Sequence, residues 1–198
     1  RPLMCLADEI CVDAVKQQRL PFLAVYIKAV SLALLQFPIL NAHMVGEAKY
    51  QLKHCHNIGI AMDTPNGLVV PVIKNVQSLS IAQLAEKLTE LKVRGTTTVN
   101  FTTDELSDAT FTISNIGSMG AGTYAHPVLA GPPLAMGVLG KMERLPKLDE
   151  NDVVIAKTMI VATWAADHRY VDGATLARFH SSVRSYLEHP ERMLMNLI

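Results

Sequence analysis

The stretch that most limits what this chain can become is "PFLAVYIKAVSLALLQFP", residues 21–38, which is apolar on nearly every side of a helix. Pro21 suits a first helical turn, and Pro38 ends the run. A surface helix keeps a polar stripe; this one keeps almost none and has to be covered all round. Phe22 to Phe37 is shorter than the roughly 20 residues of a membrane span and carries Lys28 and Gln36. It predicts a buried core helix with a domain layered about it.

The remaining pattern supplies those layers. "NAHMV" and "HNIGIAMD" read as short strands, and "TPNG" turns the second into "LVVPVIK", a hairpin with Asp63 at its rim. "SIAQLAEKLTELKVRG" sets Leu84, Leu88 and Leu91 at helical spacing, with Ser78 or Ser80 to cap it and Gly95 to stop it. "TTDEL" is a capped turn, and "ATFTISN" alternates as a strand before the glycine-bearing loop "NIGSMGAGTY". "PPLAMGVLGKMERL" and "VVIAKTMIVATWAAD" are two further strands joined by "KLDEND". From Asp172 onward Leu176, Phe179, Val183 and Leu187 form a helical stripe closed by His189-Pro190. The prediction is one α/β domain, a mixed β-sheet sandwich covered by helices.

Eighteen Lys and Arg balance eighteen Asp and Glu, which excludes a broad electrostatic surface for nucleic acid or an anionic membrane. A hydrophobic share of 49% against 18% charged points to apolar surface buried between subunits. Three cysteines, Cys5, Cys11 and Cys55, lack the even count and density of a disulfide scaffold and suit a reducing compartment. The chain opens with Arg1-Pro2 and shows no signal or transit peptide, so the expectation is a fragment whose targeting segment lies elsewhere.

Chemistry concentrates in "WAADHRYVDGATLARFH", where a strand gives way to a helix. His168 closes the strand, and Asp172-Gly173 opens the helix four residues later. Structurally, Asp172 is an N-cap and His168 a loop residue. Functionally, a histidine at a rigid strand end is a general base, and its ordinary value near 6.5 lies about two units below a thiol's, which suits a thiol nucleophile. Ser114, at the end of "ATFTISN", either satisfies its own loop or offers a hydroxyl to an oxyanion. Gly117, Gly120 and Gly122 follow neither the dinucleotide nor the Walker order, which sets nucleotide hydrolysis aside. His54 and His56 share a strand face opposite Cys55; two ligands make no complete metal site, and Cys55 is read as a buried strand cysteine. His180 and His189 are read as solvated.

"ADHRYVDGA", "FTISNIGSMGAGTYAHPV", "HNIGIAMDTPNGLVVPVIKNVQ" and "LLQFPILNA" together resemble the catalytic core of the dihydrolipoamide acyltransferases of 2-oxo acid dehydrogenase complexes, most of all the branched-chain lipoamide acyltransferases. The likeness runs from about Leu20 to Ile198. It implies the chloramphenicol acetyltransferase-like fold and reversible acyl transfer between dihydrolipoamide, carried on a separate lipoyl domain, and coenzyme A, without a metal. His168 matches the family's general base, Asp172 the residue that organises its loop, and Ser114 the oxyanion stabiliser. Coenzyme A contacts are implied at Asp63, Lys92, Ser114, Asn115 and Gly140, although an exposed helix lysine such as Lys92 is more often only solvated.

The resemblance further implies trimers whose active site takes His168 and Asp172 from one chain and Ser114 and Asp63 from its neighbour. The apolar tail "MLMNLI" is similar to the hook that docks trimers into a 24-subunit cubic core. Implied partners are the 2-oxo acid decarboxylase and dihydrolipoamide dehydrogenase of the complex, in the mitochondrial matrix of a eukaryote or the cytoplasm of a bacterium. No membrane span or nucleic acid is expected. The family's lipoyl and subunit-binding domains are not in residues 1–198, read as the acyltransferase core alone. The stretch before Leu20 matches poorly, and Pro21 stands where relatives often place serine. Two other readings are an acetyl- or succinyl-transferring relative, or a free-acceptor acyltransferase of the chloramphenicol type. A cage scaffold without chemistry is a third, but it has no need to keep His168, Asp172 and Ser114 together.

Overall fold

Residues 22–36 form the expected core helix, and every side chain from Ala24 to Leu34 is buried. The computed structural model describes residues 2–97, 100–120 and 122–196, the side chains of 194–196 excepted. In chain order it contains β1 (Leu3–Cys11), α1 (Asp13–Gln17), α2 (Phe22–Gln36), β2 (Ala42–Val45), β3 (Lys49–Leu52), β4 (Ile58–Thr64), β5 (Gly67–Val69) and β6 (Val72–Ile73). Then come α3 (Ile81–Thr97), β7 (Phe111–Asn115), β8 (Ala135–Leu139), β9 (Glu143–Leu148), β10 (Val154–Asp167) and α4 (Gly173–Glu188). The main sheet runs β1-β10-β8-β7-β4-β5, with β9 also on β10 and β6 on β4. It is mixed: β4, β7 and β8 are parallel, while β1, β9 and β8 meet β10 antiparallel. Helices α2 and α4 pack on each other, and α4 crosses β1.

The junction of sheet and helices is one tryptophan. Trp164 of β10 stacks on Tyr26 of α2 at 6.1 Å and 8°, and meets Phe179 of α4 edge-on at 4.9 Å and 80°. Phe111 of β7 lies 6.3 Å away. Room for the indole comes from Gly137 on the neighbouring strand, where a Cβ would sit 2.6 Å from Trp164 Cζ3. Its Nε1 donates to His180 Nδ1 at 3.0 Å. His180 is thus buried, not solvated: its spacing from Leu176 and Phe179 turns it inward, and burial lowers its pKa.

Two polar residues of α2 survive burial because each has a partner. Lys28 Nζ donates to the carbonyls of Gln77 at 3.0 Å and Leu79 at 2.8 Å, which close the short 3-10 turn Val76–Ser78. Ser31 Oγ pairs with His56 Nδ1 at 2.8 Å. Desolvation, with Lys28 nearby, pushes His56 down to about 4.

Several expectations need correction. The stretch before Leu20, given no element above, holds a full strand, β1, registered along β10 from Leu3↔Asp167 to Cys11↔Met159. Strand β3 carries no apolar alternation because all four of its residues are exposed. "LVVPVIK" breaks at Pro71, which has no N–H for a ladder, into β5 and β6. "PPLAMGVLGKMERL" splits at Gly140 into β8 and β9, both laid along the long β10. Gly95 does not stop α3; it lies inside the helix, where a Cβ would press to 3.0 Å on Met62 Cε. Residues 54–57 precede β4 instead of forming its start, so Cys55 is half-buried in a bend and not in a strand. Of the apolar tail, Met193 is buried, while the side chains from Leu194 and all of 197–198 lie outside the described residues.

His56 sets a pH dependence. Its folded value of about 4 lies below the ordinary 6.5, so between these limits the unfolded chain binds a proton that the folded chain refuses. Denaturation midpoints should fall as pH drops from about 6.5 towards 4, and His56→Gln should flatten that decline.

Candidate active site

Strand β10 ends at Asp167, whose side chain is wholly buried. A buried carboxylate needs a cation and donors. Arg169 supplies both: its Nη2 reaches Oδ2 at 2.7 Å, and its Nε and backbone N reach Oδ1 at 3.0 and 3.2 Å. The bond to Asp167 raises the Arg169 pKa. Folding the chain back this tightly turns His168 outward, into an exposed position. The His168 backbone N–H is held by the Pro2 carbonyl at 2.9 Å, and its ring Nδ1 lies 2.9 Å from the Val171 carbonyl. A carbonyl only accepts, so this partner assigns the proton to Nδ1 and leaves the Nε2 lone pair outward as a base.

Asp172 caps α4: its Oδ1 accepts from Thr175 N at 2.6 Å. That bond lowers its carboxyl pKa, with the field of His168 a lesser cause. The N-cap reading of Asp172 is therefore realised; its partner is Thr175. Gly173 follows because β1 passes so near that a Cβ there would meet Met4 Cε at 2.7 Å. Beside this junction a groove of about 670 Å³ is lined by Leu3, Met44, Val128, Leu129, Gly131 and Pro132.

The other candidates gather elsewhere. Ser114 and Asn115 end β7, register with Val138 and Leu139 of β8, and so bring Gly140 alongside. Asp63 lies two residues beyond Ala61, the partner of Ser114 on β4, and is exposed. Lys92 is exposed on α3, one turn before Gly95, which packs on Met62. Backbone approaches backbone here: a Cβ at Gly140 would lie 2.2 Å from the Thr123 carbonyl, and one at Gly117 would lie 2.2 Å from the Gly140 carbonyl.

Register separates the two groups. Ser114 pairs with Val138, and Val138 with Thr163 of the antiparallel β10. His168 lies five residues past Thr163, towards the starts of β7 and β8, while Ser114 sits at the end of β7. Five residues span about 17 Å, and two strand spacings add about 10 Å sideways. One chain thus holds His168 and Asp172 at one end of its sheet and Ser114, Asn115, Gly140 and Asp63 at the other. Sequence reasoning passed over Asp167 and Arg169; the signal was there, opposite charges two residues apart around the histidine. Among the described residues no group of three or more His, Cys, Asp or Glu is arranged to hold a metal ion. None of the helices described is long and apolar enough to cross a membrane.

Comparison with known proteins gives a consistent picture. The model of the family "2-oxoacid dehydrogenases acyltransferase (catalytic domain)" matches residues 2–195, so the start of the chain that the motifs left unmatched lies within the family domain. The lipoamide acyltransferase component of the mitochondrial branched-chain alpha-keto acid dehydrogenase complex of Caenorhabditis elegans is 44% identical over 96% of this chain, and that of Bos taurus 47% over 90%. The chain spans only 45% and 37% of the length of these relatives. Among solved structures, a dihydrolipoamide acetyltransferase of Azotobacter vinelandii superposes with a TM-score of 0.90 at 26% identity, over 98% of this chain and 84% of that one. It was solved to investigate the role of a serine, a histidine and an asparagine in catalysis. The cubic core of a pyruvate dehydrogenase multienzyme complex gives the same TM-score, identity and coverage. A chloramphenicol acetyltransferase shares the fold at a TM-score of 0.62 and 14% identity, over 94% of this chain and 89% of that one.

The Asp172 cap carries its own pH signature. A carboxyl held below its ordinary 3.8 stabilises the fold fully above that value and loses the effect as pH falls through the lowered one. Asn caps nearly as well without charge. Melting curves of the parent and Asp172→Asn should therefore differ near neutral pH and draw together as pH falls below 3.8 and through the lowered value.

Proposed function

The chain belongs to the 2-oxoacid dehydrogenase acyltransferase family, matched by its catalytic-domain model from residue 2 to 195, and from that premise we propose that it passes an acyl group between dihydrolipoamide and coenzyme A. The observation that carries the reading is the bond between His168 Nδ1 and the Val171 carbonyl, which leaves Nε2 as a base at an exposed strand end. Nε2 takes the proton from the incoming thiol, and the thiolate attacks the thioester carbonyl carbon. A new C–S bond forms, and the carbonyl π electrons move onto oxygen. The Ser114 hydroxyl stabilises that oxyanion. Collapse breaks the old C–S bond, and the departing thiolate recovers the proton from His168. No acyl-enzyme is needed.

Because one chain's own Ser114 sits at the far end of its sheet, His168 and Asp172 are completed by Ser114 of a neighbouring copy. Asp63, Asn115, Gly140 and Lys92, gathered at that same far end, offer coenzyme A its polar contacts. The spacing supports the assignment: in the Azotobacter vinelandii enzyme the histidine and asparagine under study stand four positions apart, the step from His168 to Asp172 here. The acyl group we assign is branched, as the relatives' names indicate; the small residues of "SMGAGTYAHPV" leave room for isobutyryl or isovaleryl. Their names also support a mitochondrial location. The cubic core among the matching structures supports trimers built into a 24-subunit cage that gathers lipoyl domains, the decarboxylase and dihydrolipoamide dehydrogenase.

Transfer from isobutyryl-, acetyl- and succinyl-coenzyme A to dihydrolipoamide tests the reading. Isobutyryl transfer should dominate, and His168→Ala should lower its rate by about three orders of magnitude. An intact assembly that transfers none of the three sinks the catalytic reading. Mixing tests the shared site. His168→Ala and Ser114→Ala chains, each impaired alone, should regain activity when dissociated and reassembled together, and reassembly without recovery sinks the pairing of His168 with a neighbour's Ser114.

A further inference from the structure

Resting on the reading of His168 as the base, we propose that Arg169 and Tyr170, braced on the Glu47 carbonyl at the tip of the β2–β3 hairpin, are positioning residues for the His168 ring. His168 and Arg169 are exposed and Tyr170 is half-buried, so packing alone does not fix this turn. The two polar contacts described for His168 go to main-chain carbonyls, of Pro2 and Val171. The aim of Nε2 therefore follows the path of the backbone between residues 168 and 171; the Tyr170 and Val171 N–H groups tie that path to the Asp167 carbonyl at 3.1 and 3.0 Å, and the two side chains between brace its outer side.

Both reach the same oxygen. Arg169 spends Nε and Nη2 on Asp167 and turns Nη1 to the Glu47 carbonyl at 3.2 Å. Tyr170 donates its hydroxyl to that carbonyl, also at 3.2 Å. The Tyr170 ring stands edge-on to Tyr50 of β3 at 5.5 Å and 72°, with the Arg169 guanidinium 5.4 Å from its centre. The anchor lies more than a hundred residues away in sequence but is itself fastened. Met44 N donates to the Pro132 carbonyl at 2.8 Å, Leu134 N to Ala42 at 2.9 Å, and His43 Nε2 lies 2.8 Å from the Ala109 carbonyl. Gly46, at φ +64°, makes the bend that presents Glu47. With β3 exposed at every residue, the hairpin adds little to the core, and its bonds to the base's turn give it a role that burial does not.

The test uses the assembled protein, with isobutyryl-coenzyme A and dihydrolipoamide as substrates. Tyr170→Phe keeps the ring and its contact with Tyr50 and removes only the hydroxyl; Arg169→Lys keeps a cation for Asp167. We expect kcat to fall about threefold for Tyr170→Phe and about tenfold or more for the double variant, with KM for both substrates and the assembly state unchanged. In a His168→Ala background, assayed near pH 9 where the thiol ionises unaided, the same substitutions should cost nothing further. Unchanged kcat in both variants, a change confined to KM, or equal losses with and without His168 overturns the strut. Should Arg169→Lys fail to assemble, Tyr170→Phe decides alone. A His168→Ala protein as active as the parent overturns instead the reading of His168 as base.

Discussion

Everything in this structure leans on Trp164. The indole is the point where the sheet meets helices α2 and α4, and it fits only because Gly137 leaves the neighbouring strand bare. An aromatic cluster of this kind combines large apolar burial with definite ring geometry, so it fixes orientation as well as adding stability. Four residues farther along the chain, in the turn that directly follows the strand's last residue Asp167, stands His168. A residue at a loop tip would inherit the loop's motion, whereas this candidate base is joined directly to a strand buried from Thr158 to Asp167.

The chain divides its candidate site residues between the two ends of one sheet, and strand polarity makes the division. Strands β7 and β8 run one way and β10 the other, so the last residues of β7 and of β10 point to opposite ends. The two ends are built differently. Around His168 the scaffold is ionic and hydrogen-bonded, through Asp167, Arg169 and the cap of Asp172. Around Ser114 it is main chain against main chain, with Gly117 and Gly140 in contacts that admit no side chain.

The sequence made legible whatever depends on neighbours in the chain. The all-apolar helix, the Asp172 cap and the hairpin carrying Asp63 rest on local periodicity or local bonding, and each is where the pattern placed it. What escaped depends on contacts far away in sequence. Strand β1 has no clean alternation because it exists by pairing with β10, and β3 has none because nothing covers it. Gly95 carries the mark of a helix stop, yet it answers to Met62 across the packing. His180 looked like a surface residue because no local rule foretells a bond to Trp164. At the site, His168, Asp172 and Ser114 stood out by motif, whereas the separation of Ser114 from His168 is a property of register.

On the proposed reading, in which His168 works with the Ser114 of a neighbouring copy, that separation also sets a stoichiometry. A copy that offers a histidine at one end and a serine at the other joins its neighbour head to tail, through two unlike surfaces. Such contacts either continue without limit or close into a ring. An open string always keeps an unmated histidine end and an unmated serine end, so it holds one working site fewer than its copies, and a pair of chains would leave half its catalytic groups idle. Only closure gives every copy a complete site. On that reading ring formation is tied to yield per chain, and a surface change that merely opened the ring would remove a whole number of active centres while leaving the rest at full speed.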